Sequence, residues 1–415
     1  MHLRQLALIL LLNASAADAV AFEAVLLGPI GANHRYTAPS LDAASLAFWS
    51  VTSSGNLNPV YNGTLLRRDG AGEVETAIVI FDQEGFTQSM GDGLLAFPRS
   101  GSSGAPAFPS SIYAGPAGAS PVVVAPSPSI EWPFAVTGIV YLGPPSSSGG
   151  RIAFEASHVD DPLPQSPYVF LHDATHGLVE LAGPGTPGLP EDLSALDQSS
   201  LSPDACTFVS FHPGGSAIHR RAIGADGALG PVETWLESGD PLPQGGGSFT
   251  AFTSLQIDRA RGDAACFIGH RGDPYRLGAY LARSDGVEFV ADNQTAIPDG
   301  EGNFEELFPC AIDDGVVVLQ GKGSDGQSGI YRKRPGHPLE KVIDLDDALD
   351  GIGIRALAFG REGFAGGRIA FSAHLDRGAG PLGPQTQAAV FVPEPGGAAL
   401  TAIALLGLCI RRALE

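Results

Sequence analysis

The sequence predicts an all-β fold built by repetition, a β-propeller of seven blades, and three observations carry that prediction. Gly 55 and Pro 33 make up about a fifth of the 415 residues, which favours short strands and turns over long helices. Similar strand-like segments recur seven times at near-equal spacing. The last repeat lacks a strand that the start of the chain supplies.

The first element is not part of that fold. "MHLRQLALILLLNASAADAVAF" has a basic residue, Arg4, then an apolar run from Leu6 to Leu12, then small residues at Ala17 and Ala19. That order is a secretory signal peptide spanning 1–19, cleaved by signal peptidase so that the mature chain begins near Val20.

The repeat domain is expected over 20–391. Its anchor segments are "SLAFWS" from Ser45, "LLAFPR" from Leu94, "RIAFEA" from Arg151, "CTFVSF" from Cys206, "ACFIGH" from Ala265, "VVVLQG" from Val316 and "RIAFSA" from Arg368. Their starts lie 49, 57, 55, 59, 51 and 52 residues apart. With the leading glycines Gly150 and Gly367 included, the third and seventh agree at six of seven positions. β-branched and aromatic residues dominate them, as in buried strands.

A second strand follows each anchor, as in "SSIYAG" at Ser110, "GAYLAR" at Gly278 and "QAAVFV" at Gln387. A third follows in the first six copies, as in "GLVELAG" at Gly177 and "GVEFVAD" at Gly286. Next come turn-rich stretches such as "PLPQGGGSFTAF" (Pro241–Phe252) and "AIPDGEGNFEEL" (Ala296–Leu307), and then a weaker fourth strand. Four short strands per unit of about 50 residues is the pattern of a propeller blade. The seventh copy stops after its second strand, and "AFEAVLLG" (Ala21–Gly28) stands where its third belongs. A ring closed by that N-terminal strand removes an open edge. Two β-sandwich domains with coincidental similarity are the competing architecture.

The final element, 392–415, reads "VPEPGGAALTAIALLGLCIRRALE". Gly396 to Ile410 is an uncharged run of fifteen residues, near the lower limit for a membrane helix, followed by Arg411 and Arg412 as a basic stop. Pro393 and Pro395 flank Glu394 and cannot continue a helix upstream. Motif, order and position closely resemble the PEP-CTERM sorting signal of Gram-negative bacteria. The resemblance implies recognition by exosortase, a membrane-embedded cysteine protease, transient membrane anchoring through the helix, and release or attachment at the cell surface, often beside exopolysaccharide production. The phrase "VADNQTAIPDGEGNF" beside "SGIY" also resembles the tandem β-repeats of other PEP-CTERM proteins.

Charge narrows the partners. Formal net charge is −21, with lysine only at 322, 333 and 341. Residues 1–19 and 396–415 contribute only Arg4, Asp18, Arg411, Arg412 and Glu415, so the acidity belongs to the body. Such a surface repels phosphate backbones, which argues against nucleic acid. Cys206, Cys266, Cys310 and Cys409 show no zinc spacing. Buried free thiols are the plainer reading of the first three, one disulfide the other.

Chemistry is sparse. His172 and His176 in "HDATH" have the spacing of a helical metal pair but fall at a turn between strands. "GKG" at Gly321–Gly323 lacks the Ser or Thr of a phosphate loop, and no GxSxG elbow occurs. "DLDDALDG" (Asp344–Gly351) groups Asp344, Asp346, Asp347 and Asp350 without the terminal Glu of an EF-hand, so a solvated loop is expected and calcium is the one cofactor left open. Two Arg-Gly-Asp tripeptides (Arg261–Asp263, Arg271–Asp273) are too short to carry an adhesion reading. No catalytic residue and no metal ligand is assigned.

The expectation is therefore a secreted, exosortase-processed surface or matrix protein with a non-enzymatic binding role toward a polysaccharide or surface protein. The alternative is an extracellular carbohydrate-active enzyme, a glycoside hydrolase or lyase, on the same scaffold. Two carboxylates meeting in the central funnel, one with a raised pKa, would favour the enzyme.

Overall fold

The computed structural model describes residues 168–380 almost throughout and, within 22–167 and 383–393, chiefly the strands; 1–21 and 394–415 lie outside the described residues. Every described strand pairing is antiparallel, and they assemble seven sheets of four or five strands and one two-stranded ribbon.

The first sheet runs through His34–Tyr36, Ser45–Ser53, Tyr61–Asp69 and Val74–Ile80, and the second through Ser89–Gly91, Leu94–Ser100, Pro109–Pro116 and Val122–Ala125. The third takes Val140–Leu142, Arg151–His158, Tyr168–Asp173 and Gly177–Ala182, with Ser146–Ser148 beside Arg151–His158. Ala195–Leu201, Ala205–His212, Gly215–Ile223 and Leu229–Glu237 form the fourth. Phe249–Ile257, Ala264–Arg271, Arg276–Arg283 and Gly286–Asp292 form the fifth. Phe304–Asp313, Val316–Gly323, Ser328–Lys333 and Leu339–Asp344 form the sixth. In the seventh, Ile352–Ala358 pairs Phe371–Gly380, which pairs Gly383–Pro393, which pairs Phe22–Ile30.

The N-terminal strand thus completes the last sheet, with Phe22 opposite Pro393 and Leu27 opposite Ala389. Its partner Gly383–Pro393 takes in Val392 and Pro393, the first residues of the segment read as a sorting signal. The anchor "RIAFSA" is split: Arg368–Ile369 pairs with Phe364–Ala365, and the Ala370 amide bonds to the Gly363 carbonyl at 2.8 Å before Phe371–Gly380 begins.

Burial explains the repetition. Phe48, Phe97, Phe154, Phe208, Phe267 and Phe371, each from an anchor segment, are fully buried. Full burial of such a ring stabilises the fold by about 1.5–3 kcal/mol. Clusters join neighbouring sheets, as where Cys266, Leu281 and Tyr331 of the fifth and sixth share one core.

The first strands of the sheets touch in cyclic order. Ser40–Leu41 packs on Ser89–Gly91, then Ser146–Ser148, Ala195–Leu201, Phe249–Ile257, Phe304–Asp313 and Phe364–Ala365, which returns to Ser40–Leu41. Serines stitch this circle. Ser40 Oγ accepts the Met90 amide at 2.8 Å, Ser89 that of Ser147 at 2.8 Å, Ser146 that of Leu201 at 3.0 Å and Ser200 that of Ile257 at 3.0 Å. In the fifth sheet Gln256 occupies the serine's place, and both its amide atoms are buried without a partner.

Candidate active site at the axis

A buried ion pair closes the axis at one end. Arg259, in the turn after Phe249–Ile257, meets Glu362 at 3.2 Å, and both side chains are almost fully buried. The guanidinium also donates to the carbonyls of Leu41 at 2.9 Å, Met90 at 2.5 Å and Ser147 at 2.7 Å. Ser89 and Ser146 donate to the Glu362 carboxylate at 3.1 and 3.4 Å. One cation therefore binds together backbone of the first three sheets. A buried guanidinium requires this many acceptors, because desolvation otherwise outweighs the pairing.

A different constellation lies where the third and fourth sheets meet. Glu155, on Arg151–His158, is 1% exposed. Its Oε1 accepts the Ser199 amide, while Oε2 faces Gly143 and has no partner. A side chain at 143 would collide with that oxygen, so only glycine fits there. Burial above all, then the negative charge of Asp197, raises the Glu155 carboxyl to about 7; Arg361 and the Ser199 amide oppose the rise. A carboxylate with one oxygen buried and unpaired is costly, so the group keeps its proton.

Local backbone produces this arrangement. A bulge interrupts Ala195–Leu201 between Asp197 and Ser200, and Gln198 there has φ 58°. The bulge turns the Ser199 amide toward Glu155 and leaves Asp197 exposed. Ser254 repeats the left-handed conformation in the next sheet at φ 56°, and the Gln198 side chain accepts the Leu255 amide at 2.9 Å. The two residues occupy matching positions in the bulges of the fourth and fifth sheets. Arg361 belongs to the seventh sheet's connection, beside Gly360 against Ala38, yet its charge acts on Glu155 of the third. A buried acid, the exposed Asp197 and the Arg361 guanidinium, from the third, fourth and seventh sheets, thus act on one another electrostatically.

The residues singled out from sequence are elsewhere. His172 sits in Tyr168–Asp173, and His176 in the following turn bonds Asp173 at 2.8 Å, which also takes the Thr175 and His176 amides. Lys322 faces Glu306 at 3.7 Å. In the acidic run, Lys341 bridges Asp344 and Asp347 at 3.2 and 3.3 Å, and Asp344 accepts the Asp346 amide. No cluster of three or more metal-ligating side chains occurs among the described residues. Arg261 pairs with Asp314 at 2.5 Å. Cys206, Cys266 and Cys310 are buried free thiols. Ala17, Ala19, Glu394, Pro395, Arg411 and Arg412 lie outside the described residues; Pro393 ends the last strand. Among the described residues no helix is long and apolar enough to cross a membrane.

No sequence signal marked Glu155, Asp197 or Arg361 as a group, since they come from three sheets. The one local oddity was a glutamate inside an anchor strand, "RIAFEA", where its twin has serine.

No protein-family model and no curated protein matches the chain. Among solved structures, the chain is similar to an oligogalacturonate lyase from Vibrio parahaemolyticus, at 12% identity over 92% of this chain and 95% of that one, with TM-score 0.50. It is also similar to the β-propeller domain of the Trilobed protease from Pyrococcus furiosus, at 10% identity over 88% and 96%, TM-score 0.49. A post-proline cleaving enzyme from Rickettsia typhi matches at 8% identity over 84% of this chain and 50% of that one, TM-score 0.42. The lyase match counts against the expectation of a non-enzyme, since the fold likeness is to an enzyme. The fold is all-β and of the propeller kind.

Proposed function

We propose that the chain is an exported, seven-bladed propeller enzyme that cleaves an extracellular polysaccharide at its axis. The group around Glu155 carries this reading: burial and the charge of the exposed Asp197 raise its carboxyl to about 7, against the opposing charge of Arg361. Two neighbouring carboxyl groups in such different surroundings, one buried and one exposed, can divide acid and base roles between them. Asp197 is the carboxylate that meets substrate. Glu155, buried beside it, is a positioning residue that sets the local proton balance, and Arg361 supplies positive charge. The blade count is supported by the cyclic contacts of the seven first strands and by the pairing of Phe22–Ile30 with Gly383–Pro393.

Export is part of the proposal. Signal peptidase removes 1–19, and exosortase acts at the Pro393-Glu394-Pro395 signal. The segment from Gly396 to Ile410 holds the precursor in the membrane, and the processed body reaches the cell surface. The quoted motif and its order support this.

The enzymatic reading is tested by incubating the processed protein with a panel of neutral and acidic polysaccharides, scoring new reducing ends and new unsaturated products. Activity that falls at least about 100-fold in D197N is expected. In E155Q the pH profile of kcat/KM should lose its limb near pH 7. Wild-type rates and profiles in both variants overturn the assignment. Intact mass from hosts with and without exosortase tests the sorting half: an uncut C-terminus in both refutes it.

A further inference from the structure

A second site lies away from the axis, on the fifth sheet. A cleft of about 310 Å³ opens between the loop after Leu229–Glu237 and the ends of the fifth sheet's strands. Leu242, Gln244, Arg271, Arg276, Tyr280 and Gln294 line it. Among the described residues no hydrogen bond or ion pair holds the Arg271 guanidinium. It lies instead against the glycine run Gly245-Gly246-Gly247, whose φ values are 78°, 77° and 143°. A Cβ on Gly247 would stand 2.9 Å from Arg271 Nε, so the loop approaches this closely only as glycine. Arg276 is held by the Gln294 side chain. Gln244 Nε2 donates to the Tyr280 hydroxyl at 3.0 Å, which leaves the phenol proton free for an incoming acceptor.

The sixth sheet shows what this loop is like without a site. Its turn repeats the same bonds: the Leu242 amide to Gly247 and the Ile297 amide to Gly302, then Gly245 to Leu242 and Gly300 to Ile297. Phe249 meets Tyr280 edge-on at 4.9 Å and 81°, and Phe304 meets Tyr331 at the same distance and angle. The arginines are what differ. Opposite Phe304 stands Gly323 where Arg271 stands opposite Phe249. Ile297 fills the space above Gly323, and Gln327, in the place of Arg276, folds onto Gly300. One copy of the motif is packed shut. The other carries two guanidiniums and open space, which the shared scaffold does not require.

We infer that the fifth-sheet cleft binds a carboxylate-bearing sugar, a hexuronate unit, with Arg271 and the Tyr280 hydroxyl on the carboxylate and Gln244 and Gln294 on ring hydroxyls. A planar guanidinium beside a phenol donor matches a carboxylate. The lining has one apolar side chain, Leu242, and one carboxylate, Asp292, which accepts the Gln294 backbone amide at 2.9 Å and the Thr295 hydroxyl at 3.0 Å. The two guanidiniums outnumber it, and the remaining groups are neutral hydrogen-bonding ones, as a polyhydroxylated ring demands. Sugar as the ligand class rests on the proposed function; the charge requirement comes from the cleft itself.

The test is an NMR titration of the folded protein with sodium D-galacturonate, D-galactose and acetate. Galacturonate should bind at least tenfold more tightly than galactose or acetate. R271Q should weaken it at least tenfold with little change in Tm, since among the described residues that guanidinium makes no bond to lose, and Y280F should weaken it severalfold. D197N should bind galacturonate as the wild type does, which separates this cleft from the group around Glu155 even where no polysaccharide is cleaved. Equal binding of galacturonate and galactose, or of galacturonate and acetate, overturns the inference. So does wild-type binding by R271Q, or loss of binding in D197N.

Discussion

At the scale of single residues, two buried ionisable groups pull the pH dependence of stability in opposite directions. Glu155 ionises near 4.5 when unfolded and near 7 when folded. The unfolded chain loses its proton first, so stability falls as pH rises from 4.5 to 7 and is level above, a loss of about 3 kcal/mol. His219 is lowered from 6.5 to about 4, by burial and then by the charge of His212. Its neutral ring lies between Ser210 at 2.7 Å and Thr234 at 3.1 Å. The stability it contributes is complete above 6.5 and lost as pH falls toward 4, again about 3 kcal/mol. Over pH 4.5–6.5 the two slopes oppose each other. E155Q, whose amide oxygen still accepts the Ser199 amide, should therefore raise Tm at pH 8 and leave it nearly unchanged at pH 4. Thermal unfolding across that range decides the matter, and an equal shift at both ends would refute the burial account. H219Q should instead lose stability as pH rises from 4.5 to 6.5, where the wild type stays nearly level, because only the Glu155 slope remains. Neither group was legible in the sequence, because burial by neighbouring strands, not the residue type, shifts them.

At the scale of the strand, the repeated anchors carry the energy. Phe267 packs on Phe249, Phe252 and Tyr280 at centroid distances of 5.5–5.8 Å. F267A should cost about 3–5 kcal/mol in denaturant unfolding, against under about 0.5 kcal/mol for an exposed change such as E305A. The serine stitches are a second, smaller contribution. S146A leaves the buried Leu201 amide without its acceptor and should cost about 1–3 kcal/mol. Cys266 and Cys310 touch across the fifth and sixth sheets, and burial raises the Cys266 thiol well above its ordinary value. Strands were the readable part of the sequence: every anchor segment and the missing seventh-copy strand were visible as alternating β-branched and aromatic runs. The stitches were not, because a serine at a strand's end looks like any turn residue until the next sheet's amide faces it. The break at Ala370 was equally silent, since Gly363 takes that amide from outside the segment.

At the scale of the whole molecule, Arg259 and Glu362 hold the centre. Their partners are spread over the first, second, third, fifth and seventh sheets, so no window of sequence could show them as a pair. E362Q removes one charge and leaves the other buried. Such a change should cost about 3–5 kcal/mol. Loss of cooperativity should accompany it, seen as a lower denaturant m-value, because sheets far apart in the chain lose their common tie. An unchanged midpoint and slope would mean that the sheets hold one another without the central pair.

The strand pair that joins the two extremities also dictates how the protein bears force. Phe22 and Pro393 face each other at the same end of an antiparallel pair, and the pairing runs from there to Ile30 and Gln387. Tension applied between those two residues would load the hydrogen bonds one at a time, peeling the strands like a zip. Pulling along the strands from opposite ends would load them all at once in shear. Held by one end alone, the body would transmit no load across this seam. Held by both, it would yield there first, at low force, with the other six sheets still folded.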